Sequence, residues 1–169
     1  MIFKGLWEAL EASPVGQYVA SSSWAFPTLE SLHVMAIVTV LGTIVVMDLR
    51  LLGVASIDRA VTAISKDTLR WTWAAFLFAM ATGGLLFMAK ATEYAVNPNF
   101  QLKMVLIALA GVNMGVFHLF TWRTVETWDS APVLPLAAKI AGGLSLFLWV
   151  ITVFFARAIG FTLDMYMPA

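Results

Sequence analysis

The chain has 169 residues, of which 61% are hydrophobic and only 12% are charged, and its formal net charge is zero. A soluble domain would carry about 25% charged residues, so this composition indicates a membrane protein. The neutral balance and the lack of a basic stripe exclude a nucleic-acid partner. Because the chain has no cysteine, disulfides, zinc–thiolate sites, iron–sulfur ligation and c-type haem attachment are excluded as well.

The N-terminal segment MIFKGLWEALEASP places its apolar and charged residues on opposite faces of a helix. Glu8 and Glu11 interrupt the apolar core that a secretory signal needs, so we expect the segment to be retained and to lie in the membrane interface. We therefore predict two parts: an interfacial amphipathic segment over residues 1–20 and a four-helix transmembrane domain over residues 21–169.

Four nearly uncharged windows predict four transmembrane helices, because each is close to the ~20 residues that cross ~30 Å of hydrocarbon. The windows are 31–47, 71–89, 104–122 and 140–156. Apolar residues at helical spacing over 57–64 predict a further amphipathic helix, lying in the interface before a second span that starts near Arg70. The predicted fold class is all-α: a four-span transmembrane helical bundle with peripheral amphipathic helices.

The orientation follows from the basic residues on the two sides of four alternating spans. One side carries four and the other carries six, so the positive-inside rule places the second side in the cytoplasm and both termini outside. The two sets are Lys4, Lys90, Lys103 and Arg157, and Arg50, Arg59, Lys66, Arg70, Arg123 and Lys139.

Both histidines of the chain, His33 and His118, lie within predicted spans. Imidazole is the commonest transition-metal ligand and the usual axial ligand of b-type haem, whereas the alternative is a hydrogen bond to a neighbouring helix. At 1.5 Å per residue, the two side chains lie about 7 Å and about 22 Å from the side where both helices begin. This offset of about 15 Å disfavours one haem held by both histidines.

The same calculation places Lys103 at the depth of His33, near the predicted outer face. If His33 binds a haem there, Lys103 is available for a propionate, and Met88 or Met104 could approach the sixth position. The alternative for the methionines is that they fill gaps between helices. Glu30 is expected either to be solvated in the first turn or to orient His33.

His118 shares a helix face with Met104, Ile107, Gly111 and Met114, and the glycine leaves room for a flat ligand or for a neighbouring helix. Asn113, near the middle of the same span, is expected to bond to a backbone carbonyl or to another span.

The motif MDLRLLG closes the first span. We expect its Asp48 to pair with Arg70 or Arg123 across the cytoplasmic helix ends, as a lock between helices rather than as a catalytic group.

Two runs, SSSWAFPTLESLHVMAIVTVLGTIVVMDLRLLG and TGGLLFMAKATEYAVNPNFQLKMVLIALAGVNMGVFH, resemble a bacterial integral-membrane family of unknown function over most of residues 21–118. This resemblance implies the bacterial inner membrane and no transferable activity. More distantly, a histidine early in the first span and a lysine opening the third resemble the copper-resistance D family and the membrane-embedded, haem-containing protoporphyrinogen oxidase family. That similarity implies haem b at His33 and points to Lys103.

We therefore expect a protein that binds haem b and transfers electrons or anchors a redox partner. His33 is the first candidate ligand, and His118 is the second, for a separate haem or for a site shared between subunits of a homo-oligomer. Two alternatives stay open: a non-catalytic structural subunit of a membrane complex, and a copper or small-solute transport protein. No residue can be assigned as a catalytic acid, base or nucleophile, so an enzymatic activity is left undecided.

Overall fold

The computed structural model describes residues 3–166, except for the side chain of Asp164. This part of the chain is 85% helical and has no strand. Four of its helices are long and apolar enough to cross a membrane, which confirms the predicted all-α, four-span, multi-pass architecture. The ends of the two predicted parts, residues 1–2 and 167–169, lie outside the described residues.

The helices follow one another in a simple order. They are α1 (Lys4–Glu11), α2 (Pro14–Ser21), α3 (Ala25–Leu52), α4 (Val61–Ala89), α5 (Ala91–Val96), α6 (Pro98–Val116) and α7 (Leu136–Thr162). A π-helical turn (Phe117–Thr121) and a 3₁₀ turn (Trp122–Thr127) extend α6, and a further 3₁₀ turn (Leu163–Tyr166) follows α7.

The four spanning helices α3, α4, α6 and α7 form an arc rather than a closed ring. α3 packs against α4 on one side and against α7 on the other, and α7 also packs against α6. Among the helices described, α4 and α6 share no extensive interface. The arc α4–α3–α7–α6 therefore leaves its two outer helices as the walls of an opening.

The start of α6 is fixed by Asn97, which is wholly buried. Its Oδ1 accepts hydrogen bonds from the backbone N–H groups of Asn99 (2.9 Å) and Phe100 (3.3 Å), and Pro98 occupies the first helical position. The Asn97 Nδ2 donates to the carbonyl of Thr162 at 3.0 Å. One side chain therefore starts α6 and joins it to the end of α7.

α4 begins at Val61, well before the predicted span start at Arg70, and the predicted separate interfacial helix is wrong. Val61 is completely buried and packs with Trp128 and Leu134 of the connection between α6 and α7. The apolar spacing is helical only from Val61 onwards, because residues 57–60 form the loop before α4 and Ile57 is exposed. The helical part faces this connection instead of lipid headgroups. Periodicity identifies an apolar face and does not tell whether one helix continues into the next.

The N-terminal segment is docked on the bundle at the end where α4 meets α5. The Trp7 ring meets Phe87 edge-on, with centroids 5.5 Å apart. The Glu11 Oε1 accepts hydrogen bonds from both the backbone N–H and the hydroxyl of Thr92, each at 2.8 Å. A Cβ added to Gly16 of α2 would lie 2.9 Å from the Met88 carbonyl oxygen, so only glycine allows this close contact with α4.

Candidate ligand-binding groove and the two histidines

His33 points from α3 into the contact with α4. Its Nδ1 lies 3.0 Å from the Thr82 Oγ1, and that hydroxyl donates to the Phe78 carbonyl at 2.9 Å. Because the hydroxyl hydrogen is used in this way, the Thr82 oxygen accepts from a protonated Nδ1. A Cβ added to Gly83 would lie 2.9 Å from the His33 Cε1, so the ring fills a notch that this glycine leaves in α4.

Lys103 lies near His33, as the comparison of depths predicts, and its charge acts on the imidazole. The Lys103 Nζ is 4.7 Å from the centroid of Phe100, whose ring stacks on Phe87 at 5.4 Å. These aromatic side chains connect α6 to α4 at this end of the arc. The two walls of the opening are therefore joined beside His33.

The other predicted neighbours of His33 are more peripheral. Glu30 is exposed, as the solvated interpretation expects, but α3 begins at Ala25, so Glu30 lies in the second turn and the expected first-turn position is wrong. The pKa of Tyr94, in the short helix α5, is raised first by burial and then by the nearby carboxylates of Glu30 and Glu93.

Met88 is half-buried in the last turn of α4, and Met104 is 49% exposed on α6. Over the described residues, no three histidine or acidic side chains gather as a metal-binding cluster.

At the opposite end of the spans, α4 and α6 enclose a groove whose floor is formed by α3 and α7. It contains a cavity of about 160 Å³ with mostly apolar and aromatic walls. Polar side chains are set into this lining: Thr43, Asp48, Thr68, Thr72, Asn113, His118 and Ser145. We call this feature the α4/α6 groove.

Asp48 is the acidic residue of the α4/α6 groove and is only 6% exposed. Ser145 lies beside its carboxyl group, but the Oδ2 has no hydrogen-bond partner among the described residues. The predicted pairing with Arg70 or Arg123 is wrong, since no ion pair within the described chain includes Asp48. Asp48 lines the groove from α3, and its backbone packs closely against Gly142 of α7.

Arg50, two residues further along α3, is completely buried but serves a different region. Its Nε donates to the Arg59 carbonyl at 2.8 Å, and its Nη2 lies 3.5 Å from the Asp129 carbonyl. Residues two apart lie on nearly opposite sides of a helix, so Arg50 ties the connections together while Asp48 faces the groove.

Asp129 holds the start of α4. Its carboxylate accepts from the backbone N–H of Thr62 at 2.8 Å and from the Thr62 hydroxyl at 2.7 Å. Partial burial acts to raise the pKa of Asp129, but these hydrogen bonds and the charge of Arg50 outweigh it, and the pKa is lowered.

His118 lies in the π-helical turn at the edge of the α4/α6 groove. Its Nδ1 lies 2.9 Å from the Met114 carbonyl oxygen and donates to it, so the Nε2 keeps its lone pair. The ring is exposed and lies between Phe117 and Trp122, with centroids 5.3 and 5.6 Å away.

The predicted face of α6 is confirmed for Ile107, Gly111 and Met114, which line the same groove as His118, whereas Met104 at the start of that face does not line it. A Cβ on Gly111 would have no neighbour within 4 Å, so this glycine faces open space. The prediction for Asn113 is also confirmed, since its Nδ2 donates to the Ala141 carbonyl of α7 at 2.9 Å.

Sequence reasoning missed the groove and the floor residues Asp48 and Ser145. One available signal was the set of hydroxyl residues Thr68 and Thr72, one turn apart on a face that continues into the second span. The Thr72 hydroxyl donates to Thr43 of α3 at 2.8 Å, which makes this face the inner one. No comparable sequence pattern marks the position of the π-helical turn.

A search of curated proteins and a search of solved structures return no match. The comparison with protein families matches residues 7–162 to a family of unknown function (DUF6644), and the match includes both histidines and the whole groove. A similarity to the copper-resistance D or protoporphyrinogen oxidase families is not shown. The chain therefore belongs to the DUF6644 family of unknown function.

Proposed function

We propose that this protein is an integral redox protein of the bacterial inner membrane that holds haem b at the α4/α6 groove through the Nε2 of His118. The observation that carries the proposal is the hydrogen bond from His118 Nδ1 to the Met114 carbonyl. Histidine ligands usually donate their second ring nitrogen in this way, which fixes the ring and leaves the other nitrogen for the metal. Gly111, on the same face, leaves the open space that a flat ring needs.

His33 becomes the second candidate ligand. It also donates through Nδ1, but its ring fills the notch above Gly83, so no haem fits between this ring and α4. Lys103 would serve a propionate only in this second arrangement, together with Met88 or Met104 as a further ligand. The distant resemblance to haem-containing oxidases and to the copper-resistance D family, which the comparisons do not show, would imply this arrangement, and it stays a prediction.

The charge distribution supports the site at His118. Four basic residues belong to the helix ends and connections on the groove side of the bundle, where haem propionates need cationic partners. These residues are Lys66, Arg70, Arg123 and Lys139. The bound iron would supply one-electron chemistry, whereas the chain supplies position, an apolar surround and electrostatics.

The same basic residues orient the protein in the proposal. The positive-inside rule places the groove end towards the cytoplasm and both termini in the periplasm. Electrons would pass to a redox partner or through a membrane complex, and the lipid-exposed faces of the spans leave room for partner subunits or for a second copy of the chain.

The test is the absorption spectrum of the purified full-length protein, oxidised and then reduced. We expect a Soret band that is lost in His118→Ala and kept in His33→Ala. A band that depends on His33 instead would contradict the placement, and a colourless, iron-free preparation would overturn the proposal. Metal analysis of the same sample tests the copper-transport alternative.

A non-catalytic structural subunit is the second candidate function. The hydrogen bonds His33–Thr82 and Asn113–Ala141 favour it, because they use polar side chains to join neighbouring spans. This candidate requires a colourless protein in which substitution of either histidine changes only stability or complex assembly.

A further inference from the structure

We propose that the floor of the α4/α6 groove binds the ring of a lipid-soluble hydroquinone or phenol, and that Asp48 accepts a hydrogen bond from its hydroxyl group. This inference goes beyond the haem proposal and does not depend on it. The groups proposed to contact the hydroxyl and the ring belong to α3, α4 and α7, whereas the proposed haem ligand His118 lies on the π-helical turn at the edge of the same cavity.

The first argument is the state of the Asp48 carboxylate. Asp48 is 6% exposed, lines the cavity, and has one oxygen without a hydrogen-bond partner in the described part of the chain. A buried acceptor left without a donor is unfavourable, and more so when it is charged. A ligand hydroxyl that enters the cavity would supply the missing donor.

The second argument is the chemistry of the walls around that carboxylate. Trp73 and Phe76 of α4 and Trp149 of α7 line the cavity together with aliphatic side chains. Aromatic and apolar walls with a few polar groups on the floor suit an aromatic ring that carries hydroxyl groups. Ser145 and Thr72 offer further hydroxyls to the same ligand.

The third argument is size and access. A cavity of about 160 Å³ has room for roughly ten water molecules, since one water needs about 15 Å³ in the same measure. That space suits a single substituted ring, whereas a haem held by the exposed His118 would lie outside this cavity, at the open edge of the groove. Because α4 and α6 share no extensive interface, a ligand dissolved in the bilayer can reach the floor sideways while its alkyl tail stays in lipid.

The experiment uses the full chain in lipid nanodiscs and follows quenching of tryptophan fluorescence, since Trp73 and Trp149 line the cavity. The probe is a decyl-substituted benzohydroquinone, and its dimethyl ether is the matched control ligand without a hydroxyl hydrogen. We expect saturable binding of the hydroquinone and at least tenfold weaker binding of the ether. Asp48→Asn should also weaken binding of the hydroquinone about tenfold, which equals one unit of log Kd.

A pair of glycine variants tests the location without touching Asp48. A Cβ at Gly111 or at Gly84 meets nothing within 4 Å, so phenylalanine can be placed at either position without a clash at its Cβ. Gly111 lines the groove and Gly84 does not. We expect Gly111→Phe to abolish hydroquinone binding and Gly84→Phe to leave it unchanged.

The outcomes separate this inference from the haem proposal. Equal binding of the hydroquinone and its ether, or unchanged binding in both Asp48→Asn and Gly111→Phe, would overturn it. Asp48-dependent binding of tetraphenylphosphonium without binding of the hydroquinone would also overturn it, in favour of a lipophilic cation. Loss of a haem spectrum in His118→Ala has no bearing on it, and hydroquinone binding by a haem-free preparation supports it while the haem proposal fails.

Discussion

The two ends of the bundle place a histidine in very different surroundings. His33 donates to Thr82, fills a notch over Gly83 and lies beside the aromatic contact that joins α4 to α6. His118 lies at the edge of an open groove with one ring nitrogen available and an open glycine face nearby. A polar residue in a span is therefore informative only when its partners are known, because a satisfied histidine packs helices and an available one can bind a ligand.

The same difference extends to the other polar groups. At the His33 end, the polar side-chain atoms of Asn97 and Glu11 are hydrogen-bonded to helix starts and to neighbouring elements. At the groove end, the two buried side-chain atoms without a partner within the described residues are the Asp48 Oδ2 and the Arg50 Nη1. The first faces a cavity and the second does not, so the groove end combines structural and ligand-binding roles.

The largest expected effect tests the structural role at the groove end. Arg50→Leu removes the bonds from a buried guanidinium to the Arg59 and Asp129 carbonyls. Hydrogen bonds to a charged group contribute about 1.5–3 kcal/mol, so we expect the free energy of unfolding in detergent to fall by about 3 kcal/mol. Thermal or denaturant unfolding followed by circular dichroism measures the change.

Arg59→Ala is the matched control for this prediction. It keeps the backbone carbonyl that Arg50 uses and removes only the exposed Arg59–Asp67 ion pair. Exposed pairs contribute about 0–1 kcal/mol, so the control should unfold nearly as the wild type does. Equal losses in the two variants would contradict the assignment of Arg50 as the residue that joins these connections.

The second prediction concerns the His33 end of the bundle. Gly83→Ala places a Cβ 2.9 Å from the His33 Cε1, whereas Gly84→Ala meets nothing within 4 Å. Overpacking of this kind costs about 1–3 kcal/mol, so the first variant should lower the unfolding temperature and the second should not. Adding His33→Ala to Gly83→Ala removes the clash and should recover part of the loss. Without that recovery, the ring does not fill the notch in solution.

Much of the fold follows from the sequence, for reasons that particular residues make clear. The four spans are set by the length of the uncharged windows, and Asn97-Pro98 marks the start of α6 because an amide cap followed by proline suits a helix start. The similar depth of His33 and Lys103 follows from the rise per residue alone. These inferences need only distances along a helix.

The groove could not be derived in the same way. Its existence depends on α4 and α6 not packing against each other, and the sequence of either helix does not report which helices become neighbours. The burial of Asp48 depends on the packing of α3 against α4 and α7, and instead of the expected ion pair it leaves a buried, partly unpartnered carboxylate. Contacts between distant segments decided both features.

A smaller effect is expected from Thr82→Val, which removes the acceptor for His33 Nδ1 but keeps the shape of the side chain. Hydrogen bonds between transmembrane helices contribute about 0.6 kcal/mol on average, so the loss should be about that size. A double-mutant cycle with His33→Ala isolates the coupling in unfolding measurements. If the stability losses of Thr82→Val and His33→Ala simply add, the hydrogen bond does not stabilise the α3–α4 contact. The difference between the His33 end and the groove end would then be smaller than described.

The smallest effect is a pH dependence at the start of α4. The pKa of Asp129 is lowered in the folded protein, so its charge stabilises the fold above the ordinary aspartate pKa of about 3.9. That stabilisation is lost as the pH falls through the lowered folded value. Asn caps helices about as well as Asp, so Asp129→Asn should lower the unfolding temperature slightly at pH 5–7, with the difference shrinking as the pH falls below the ordinary aspartate pKa. In a Thr62→Ala background, which lacks the hydroxyl donor to Asp129, the difference should shrink at every pH. A difference that grows towards low pH would mean that burial, which raises the pKa, outweighs the hydrogen bonds that hold this wall of the groove in place.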